Sequence, residues 1–331
     1  MKIALFNLRE DEKKSLEKWQ KQNPDVEIVA YSETLTADNT HLAQGAQGVC
    51  MAVLSTVDEG VYEKLQAMGV KVMSQRSAGT DMYNWDKMRE LGIMLINVPV
   101  YSPNAIGEYV ITSALYFTRN FNQFLPAGKE HDFRWHLPVL SREMATLTAG
   151  VVGTGNIGRA VAKLFKGMGA KVIGYDVYEN DAARELLDYV SLDELYERSD
   201  VITFHVPATE DNYHMVNEEA IAKMKDTAVL VNSARGSIVD TQAVLKALDE
   251  GKLKGVALDV YEHEFDLVKK DLRGQDLNDP IMDEILQRND IIYTPHIAFY
   301  TETALDNLLG LALDESVNYL KTGDSKAIVN R

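Results

Sequence analysis

Three glycines in the middle of the chain constrain its fold more than any other feature. Gly153, Gly155 and Gly158 follow the apolar run 149–152 and open a segment in which apolar residues recur every three or four positions. Asp176 ends the next apolar run, 18 residues beyond the third glycine. A strand, a glycine turn, a helix and a second strand that ends in an acid are together typical of a dinucleotide-binding α/β unit.

Each of these residues has a separate part in binding a dinucleotide. Gly153 permits a tight turn, Gly155 lets the backbone approach a pyrophosphate, and Gly158 lets the helix pack against the strand. The N–H groups at the start of the helix favour a phosphate there. Asp176 can accept hydrogen bonds from a ribose diol, whereas its charge repels a 2′-phosphate, so we predict NAD rather than NADP. The alternative, a chance glycine turn, is disfavoured by the flanking strand, helix and acid.

The composition excludes several kinds of partner. The chain has 331 residues, of which 46% are hydrophobic and 25% charged, as in a globular protein of about two domains. Its net charge of −16 repels nucleic acids and anionic membranes, so we predict neither as a partner. The one cysteine, Cys50, allows no internal disulfide and suits a reducing cytoplasm. We predict no signal peptide, no transmembrane helix and no metal site.

The order of the predicted elements indicates two α/β domains. Strands and helices alternate over residues 2–97 and again over 149–294, which predicts parallel, doubly wound sheets. The second region has about six strands, as a Rossmann-type cofactor domain needs. A last amphipathic helix at 301–321 would return to the first domain, which makes that domain discontinuous and flavodoxin-like, with the cofactor domain inserted in it and the chemistry in the cleft. The predicted bounds are 1–100 and 300–331 for the substrate domain and 101–299 for the NAD-binding domain.

A proline-punctuated segment at 98–103 interrupts the alternation. Ser102 can cap a helix whose first position is Pro103, since proline already has the backbone angle that a helix start requires. We predict a helix from this point to about Phe124, stopped by Pro126.

Charged side chains follow three strands of the second half of the predicted cofactor domain. Arg235 comes just after one strand, and His296 comes just after another. Asp259 and Glu264 follow the strand between them in sequence. Because ligands of open α/β sheets bind at the carboxyl ends of the strands, we expect these four residues to converge on one crevice.

These residue types suit the reduction of a 2-oxo acid. A hydride that reaches the carbonyl carbon leaves negative charge on the oxygen, and an imidazolium at His296 can supply the proton near neutral pH. A carboxylate at Glu264 would favour that imidazolium and hold its ring. Arg235 can hold the substrate carboxylate and polarise the carbonyl, because its planar fork matches that geometry. Asp259 would contact the nicotinamide side.

Each candidate also has a purely structural alternative. An arginine and a glutamate can equally form a solvated ion pair. The position of these residues at strand ends, beside a predicted cofactor, favours the functional interpretation. A lone histidine usually lies at the surface or is hydrogen-bonded in a core, which is what we expect of the remaining histidines, His41, His131, His136, His205, His214 and His263.

Six motifs distributed along the chain resemble those of the D-2-hydroxyacid dehydrogenases, most closely the NAD-dependent D-lactate dehydrogenases of lactic-acid-type bacteria. The resemblance covers nearly the whole chain, and the motifs together are highly specific. They are NVPVYSPNA at 97–105, DFRW at 132–135, GTGNIG at 153–158, ARG at 234–236, LDVYEHE at 258–264 and TPHIAFY at 294–300.

The resemblance implies NADH-dependent reduction of pyruvate to D-lactate by a homodimer with hinge closure. It implies that Arg235 binds substrate, that Glu264 pairs with His296 and that His296 is the acid/base. Backbone amides around Ala78 and Gly79, together with Tyr101, would line the substrate site. It also implies that Val206, Pro207, Asn212 and Asp259 contact NAD. The complete set of predicted NAD contacts is Gly153, Gly155, Asn156, Ile157, Gly158, Asp176, Val206, Pro207, Asn212, Ala234 and Asp259.

Two departures from the family pattern leave alternatives open. The loop RSAGTD at 76–81 differs from the Arg-Asn-Val-Gly form common in the family, although backbone contacts would survive that change. Ala52 stands where D-lactate enzymes often have an aromatic residue, which suggests a broader pocket, unless a neighbouring side chain fills the space. The second hypothesis is therefore a D-2-hydroxyisocaproate or phenyllactate type of dehydrogenase. A third, of another class, is a non-enzymatic NAD-sensing module like the corepressors that share this fold.

Overall fold

The computed structural model describes residues 1–53, 55–135 and 140–331. The chain divides into two compact units, which are described one at a time: Met1–Ser102 together with Tyr300–Arg331, and Pro103–Phe299. Of the residues named above, His136 lies outside the described residues.

Strands and helices alternate along most of the described chain. The strands are β1 (Lys2–Leu5), β2 (Glu27–Ala30), β3 (Gly48–Met51), β4 (Val72–Gln75), β5 (Met94–Ile96), β6 (Thr148–Val152), β7 (Lys171–Tyr175), β8 (Asp188–Tyr189), β9 (Val201–Phe204), β10 (Val229–Asn232), β11 (Gly255–Leu258) and β12 (Ile291–Tyr293). The α-helices are α1 (Lys13–Gln22), α2 (Glu59–Ala67), α3 (Trp85–Glu90), α4 (Pro103–Thr118), α5 (Phe121–Lys129), α6 (Asn156–Gly167), α7 (Asp181–Arg184), α8 (Leu192–Arg198), α9 (Glu218–Ala222), α10 (Thr241–Asp249), α11 (Pro280–Gln287) and α12 (Glu302–Thr322).

The first unit is built on a parallel sheet with the strand order β2-β1-β3-β4-β5. This order is the flavodoxin-like one. All four residues of β3 and of β4 are buried, as expected of central strands in a sheet covered on both faces. The long helix α12 belongs to this unit and packs on α1, where the Trp19 indole N–H donates to Asp314 over 2.7 Å.

The second unit contains a parallel sheet with the order β12-β11-β10-β9-β6-β7-β8 among the described residues. Counted from β6, this is the Rossmann order, extended by one strand at β12. Helix α6 buries Val161 and Phe165 in this unit, and α4 approaches it closely at Gly107, where an added Cβ would lie 2.8 Å from Leu164. The prediction of two doubly wound parallel sheets in an α/β fold is therefore confirmed.

The helix that begins at Pro103 is shorter than predicted. It ends at Thr118, and a separate helix, α5, begins at Phe121. Asn120 breaks the path with a left-handed φ of 54°, a conformation that asparagine tolerates better than most residues. Pro126 does not end α5 but lies inside it.

The described residues contain neither a helix that could span a membrane nor a cluster of potential metal ligands. None of the helices there combines the length and the apolar character needed to cross a bilayer. No group of three or more histidine, cysteine or acidic side chains in the same residues is arranged to hold a metal ion.

Candidate active site

The glycine motif lies where the strand order of the second sheet reverses, between β6 and β9. Gly153 follows β6, and the N–H of His205, just after β9, donates to the carbonyl of Val152 over 2.7 Å. The crevice outside the carboxyl ends of strands at such a point is where doubly wound sheets bind ligands. Burial lowers the pKa of His205 to about 3, so this imidazole is neutral at neutral pH.

The three glycines meet different surroundings. Gly153 has φ of +89°, and a Cβ there would lie 2.6 Å from the carbonyl oxygen of His205. A Cβ on Gly158 would lie 1.9 Å from the carbonyl oxygen of Gly153, which shows how closely α6 packs on the turn. At Gly155 an added Cβ would meet no atom within 4 Å in the part of the chain that the structure describes. Two glycines are thus required by the fold, whereas the third leaves open space where a pyrophosphate can approach.

The start of helix α6 also suits an anionic ligand. Gly155 is the N-cap residue of this helix, and no side chain of the described residues caps it, so the first N–H groups can bind a phosphate. Asp176 lies just after β7, and its Oδ2 accepts from the N–H of Thr154 over 2.6 Å. Arg159, which the sequence analysis did not single out, donates to the side chain of Asn156 over 2.7 Å. These residues fit a dinucleotide.

A short loop after β9 contains the other predicted cofactor contacts. The Asn212 amide donates to the carbonyl of Pro207 over 2.6 Å and accepts from the N–H of Thr209 over 2.8 Å. The side chain therefore closes the loop on itself. Val206 lies against Gly153, since a Cβ on that glycine would be 2.8 Å from its side chain. The structure brings Val206 to the glycine turn.

Arg235, Glu264 and His296 follow three neighbouring strands, β10, β11 and β12. The loop of Arg235 is held by Asn232, whose amide donates to the Arg235 carbonyl over 2.9 Å and accepts from the N–H of Ala234 over 3.1 Å. The next residue, Gly236, has no room for a side chain, because a Cβ would lie 2.3 Å from the backbone of Tyr261. Close packing at this glycine holds the loop after β10 against the loop that leads to Glu264.

The histidine and glutamate predicted to pair are in contact. Nδ1 of His296 lies 3.0 Å from Oε1 of Glu264, a distance suited to an Nδ1–H that donates to the carboxylate. Glu264 is 6% exposed, so its charge acts in a surrounding of low polarity. The ring's second nitrogen, Nε2, is then the atom that can exchange a proton with a substrate.

Asp259 holds the turn that contains His296. Its carboxylate accepts from the Thr294 hydroxyl over 2.6 Å, and from the N–H groups of Ile297 and Ala298 over 2.8 Å each. Its carbonyl accepts from the N–H of His296 over 2.7 Å. Burial raises the pKa of Asp259, and these hydrogen bonds to the carboxylate oppose the rise. The left-handed φ of 58° at His296 is therefore imposed by bonds to one side chain and its backbone.

The predicted substrate residues of the first unit lie at the carboxyl ends of its strands. Ala78 and Gly79 follow β4, and the carbonyl of Ala78 accepts from the Asn97 amide over 2.7 Å. Tyr101 lies after β5, and its carbonyl accepts a hydrogen bond from Asn307. Their contacts with substrate stay a prediction.

Three residues that act through hydrogen bonds rather than through charge were not predicted from the sequence. Thr294, Asn232 and Asn97 hold the loops described above, and each lies in or beside a motif without an obvious chemical function. Their positions could have identified them, because Thr294 and Asn97 immediately follow strands and Asn232 is the last residue of one. Of the other described histidines, His214 is paired with Glu262 at 2.5 Å and does not belong to the His296 contact.

Comparison with known proteins decides the family. Residues 111–298 match the family model described as D-isomer specific 2-hydroxyacid dehydrogenase, NAD binding domain. The chain belongs to this family. The predictions of an NAD cofactor and of an NAD-dependent oxidoreductase are thereby confirmed.

Individual relatives match along the whole chain. The D-lactate dehydrogenase of Treponema pallidum (strain Nichols) is 46% identical over 321 residues, 97% of each protein. A solved D-2-hydroxyisocaproate dehydrogenase has a TM-score of 0.94 at 38% identity and covers 100% of both chains. The NAD complex of a D-isomer specific 2-hydroxyacid dehydrogenase from Lactobacillus delbrueckii ssp. bulgaricus has a TM-score of 0.91 at 36% identity and covers 99% of this chain and 100% of that one. These relatives are dehydrogenases, which favours an enzyme over the sensing module.

Proposed function

We propose that this family member reduces a small 2-oxo acid to the D-2-hydroxy acid with NADH, and that pyruvate, giving D-lactate, is its substrate. The observation that carries the proposal is the 3.0 Å contact between His296 and Glu264 in the unit that holds the glycine motif. The 46% identity to a D-lactate dehydrogenase over nearly the full length supports the choice of substrate.

The proposed chemistry divides between the cofactor and the chain. NADH, when bound, supplies the hydride that goes to the carbonyl carbon of the 2-oxo acid. His296 donates the Nε2 proton to the carbonyl oxygen, so that a hydroxyl forms. The Glu264 carboxylate stabilises the imidazolium before transfer and keeps Nδ1 protonated throughout. The product is neutral at the new hydroxyl, and the neutral ring takes its next proton from water.

The remaining residues bind and orient. The Arg235 guanidinium holds the substrate carboxylate in a two-pronged contact and polarises the carbonyl. Asp259 keeps the His296 turn in place, and any contact that it makes with the nicotinamide is part of the same proposal. Ala78, Gly79 and Tyr101 contribute to binding of the substrate. The cofactor contacts proposed are those given above for the glycine motif, Asp176, Ala234 and the loop closed by Asn212.

A broader substrate range is the second candidate. Ala52 is 9% exposed at the end of β3 and offers only a methyl group where a larger side chain would narrow a pocket. The likeness to a D-2-hydroxyisocaproate dehydrogenase supports this candidate. Comparing kcat/KM for pyruvate, 2-oxoisocaproate and phenylpyruvate decides between them. A preference for pyruvate of more than about a hundredfold, which exceeds what a few methylenes are worth, rules the broad pocket out.

The activity is tested by the fall in absorbance of NADH in the presence of pyruvate. The variant His296→Gln is expected to lower kcat by about 10²–10⁴-fold while the Kd of NADH, followed by fluorescence, stays the same. His263→Gln is the matched control, because His263 is an exposed histidine one residue from Glu264. Retained turnover in His296→Gln removes this residue from the proton transfer.

We further propose that the enzyme is a homodimer and works in the cytoplasm, where NADH is available. Residues 121–135 of the second unit expose large apolar side chains, among them Trp135 at 95% and Phe133 at 77%. Exposed apolar groups of this size often mark a protein interface. Sedimentation equilibrium measures the mass: a monomer at assay concentration contradicts the dimer.

A further inference from the structure

In the loop after β4, the carbonyl groups of residues 77–79 are held by hydrogen bonds, whereas two N–H groups can still bind a ligand. The carbonyl of Ser77 accepts from the Val98 N–H over 3.0 Å, and that of Ala78 accepts from the Asn97 amide over 2.7 Å. The carbonyl of Gly79 accepts from the Ser77 hydroxyl over 2.7 Å. Within residues 1–53, 55–135 and 140–331, the N–H groups of Ala78 and Gly79 donate to no acceptor. Successive backbone N–H groups left in this way form a site for an anion.

The Ser77 hydroxyl is itself held by a buried amide. Gln75, which is 1% exposed at the end of β4, donates from Nε2 to the Ser77 Oγ over 3.1 Å. The same Nε2 donates to the carbonyl of Val53 over 2.9 Å, and Oε1 accepts from the Tyr83 hydroxyl over 2.7 Å. Since Oγ accepts from Gln75, its own hydrogen is directed to the Gly79 carbonyl. The amide therefore links the loop both to β4, whose last residue is Gln75, and to Val53, which follows β3.

We propose that Ser77 and Gln75 are positioning residues for the substrate carboxylate. The Gln75 amide orients the Ser77 hydroxyl, and that hydroxyl holds the carbonyl of Gly79. With the Ser77 and Ala78 carbonyls already held, this bond fixes the far end of the loop, so that the N–H groups of Ala78 and Gly79 stay directed at the ligand. The ligand is the carboxylate of the 2-oxo acid, so the inference rests on the proposed function. It also explains why a serine serves in a loop where the family commonly has asparagine: a hydroxyl is short enough to bond a carbonyl two residues on.

The same amide links the loop to the residue next to Ala52. Gln75 bonds Val53 through both of its polar groups, since its Oε1 also lies 3.4 Å from the Val53 N–H. One buried side chain thus bonds both Val53, the residue after Ala52, and Ser77, the residue before Ala78. A change at Gln75 is expected to affect both the affinity for the carboxylate and the selection of the substrate side chain.

The test compares the KM for pyruvate with kcat and with the Kd of NADH, so that an effect on binding of the oxo acid can be recognised. In Ser77→Ala, the KM for pyruvate is expected to rise about tenfold, the size of one lost hydrogen bond at a binding site, with kcat within about threefold and the Kd of NADH unchanged. Ser77→Thr keeps a hydroxyl at this position and is expected to restore most of the affinity. Gln75→Met, which keeps the volume and removes the amide, should give the same rise in KM and also alter the ratio of kcat/KM for pyruvate and phenylpyruvate.

The matched control is Ser316→Ala. Ser316 is buried in α12 of the same unit, and its hydroxyl also donates to a backbone carbonyl over 2.7 Å, that of Ala312. The control should lower the Tm with no change in the KM for pyruvate. The inference is overturned if Ser77→Ala leaves that KM unchanged, or if it weakens NADH binding to the same extent. Wild-type enzyme without 2-oxo acid reductase activity overturns the proposed function and the inference together, whereas the first two outcomes leave the proposed function standing.

Discussion

Glu264 contacts His296 with only one of its two carboxylate oxygens. Oε1 lies 3.0 Å from the ring, whereas Oε2 is buried and has no hydrogen-bond partner in the described part of the chain. The hydroxyl of Tyr293 is likewise buried without a partner in these residues, and burial, with the Glu264 charge second, raises the pKa of Tyr293 to about 12. A carboxylate so weakly solvated gains much of its stability from a positive charge on the adjoining imidazole.

Replacing the Glu264 carboxylate by an amide should therefore lower the activity of the enzyme. In Glu264→Gln the side chain still accepts from Nδ1, but the imidazolium of His296 loses its counter-charge. We expect kcat for pyruvate to fall about a hundredfold, with the Kd of NADH unchanged. Glu262→Gln, which changes a carboxylate two residues away that is paired with His214 instead, should leave kcat unchanged. An unchanged kcat in Glu264→Gln speaks against the electrostatic role.

Alanine substitutions at two glycines of the motif should have different effects, one on stability and the other on cofactor binding. Gly158→Ala places a methyl group 1.9 Å from a backbone oxygen, and we expect it to destabilise the protein by about 3 kcal/mol. Gly155→Ala meets open space at a φ of −66°, which any residue adopts, so its Tm should match that of the wild type. Its Kd for NADH should rise about tenfold, because the methyl group stands where the pyrophosphate approaches. Thermal unfolding and fluorescence titration measure both; equal NADH affinity in Gly155→Ala contradicts the assignment.

The buried Asp200 should make stability depend on acid pH. Burial favours the neutral acid, but hydrogen bonds from the Thr148 N–H, Arg142 and Lys225 outweigh burial and hold the pKa of Asp200 below its usual value. A carboxyl with a lowered pKa stabilises the fold fully above about pH 4 and loses that effect as the pH falls through its folded value. Asp200→Asn should cost about 3 kcal/mol at pH 7 in urea unfolding and less below pH 4. A constant difference contradicts this, and the exposed Asp226→Asn is the control.

The substrate range should narrow when Ala52 is enlarged. Ala52→Tyr is expected to lower kcat/KM for phenylpyruvate at least about tenfold relative to pyruvate, because the ring occupies the space that a bulky substituent needs. Ala52→Val, which adds two methyl groups, should give an intermediate ratio. Steady-state kinetics on both substrates provide the measurement. Parallel losses on the two substrates in both variants show that Ala52 does not line the pocket.

Local patterns predicted much of this structure, and long-range bonds account for what they missed. The glycine turn and the strand ends of Arg235 and His296 depend on residues close in sequence, and the parallel, doubly wound sheets follow from the alternation of strands and helices. The hydrogen bonds that Asp259 accepts from residues 294–298 join positions 35 to 39 residues apart in the sequence. No local pattern could predict them. The two-residue edge strand Asp188–Tyr189 was missed because it is too short for an alternating pattern. The break at Asn120 was missed because an asparagine in an apolar stretch gives a weak signal against a helix.

The groups proposed to carry proton transfer and cofactor binding all lie in Pro103–Phe299, whereas the Gln75 network and Ala52 lie in the other unit. Each set is held by hydrogen bonds to its own unit, as with Asp259 in one and Gln75 in the other. New selectivity can thus arise by mutation in one unit at little risk to the reactive groups in the other. Descendants of such a gene can diversify in what they reduce while conserving how they reduce it.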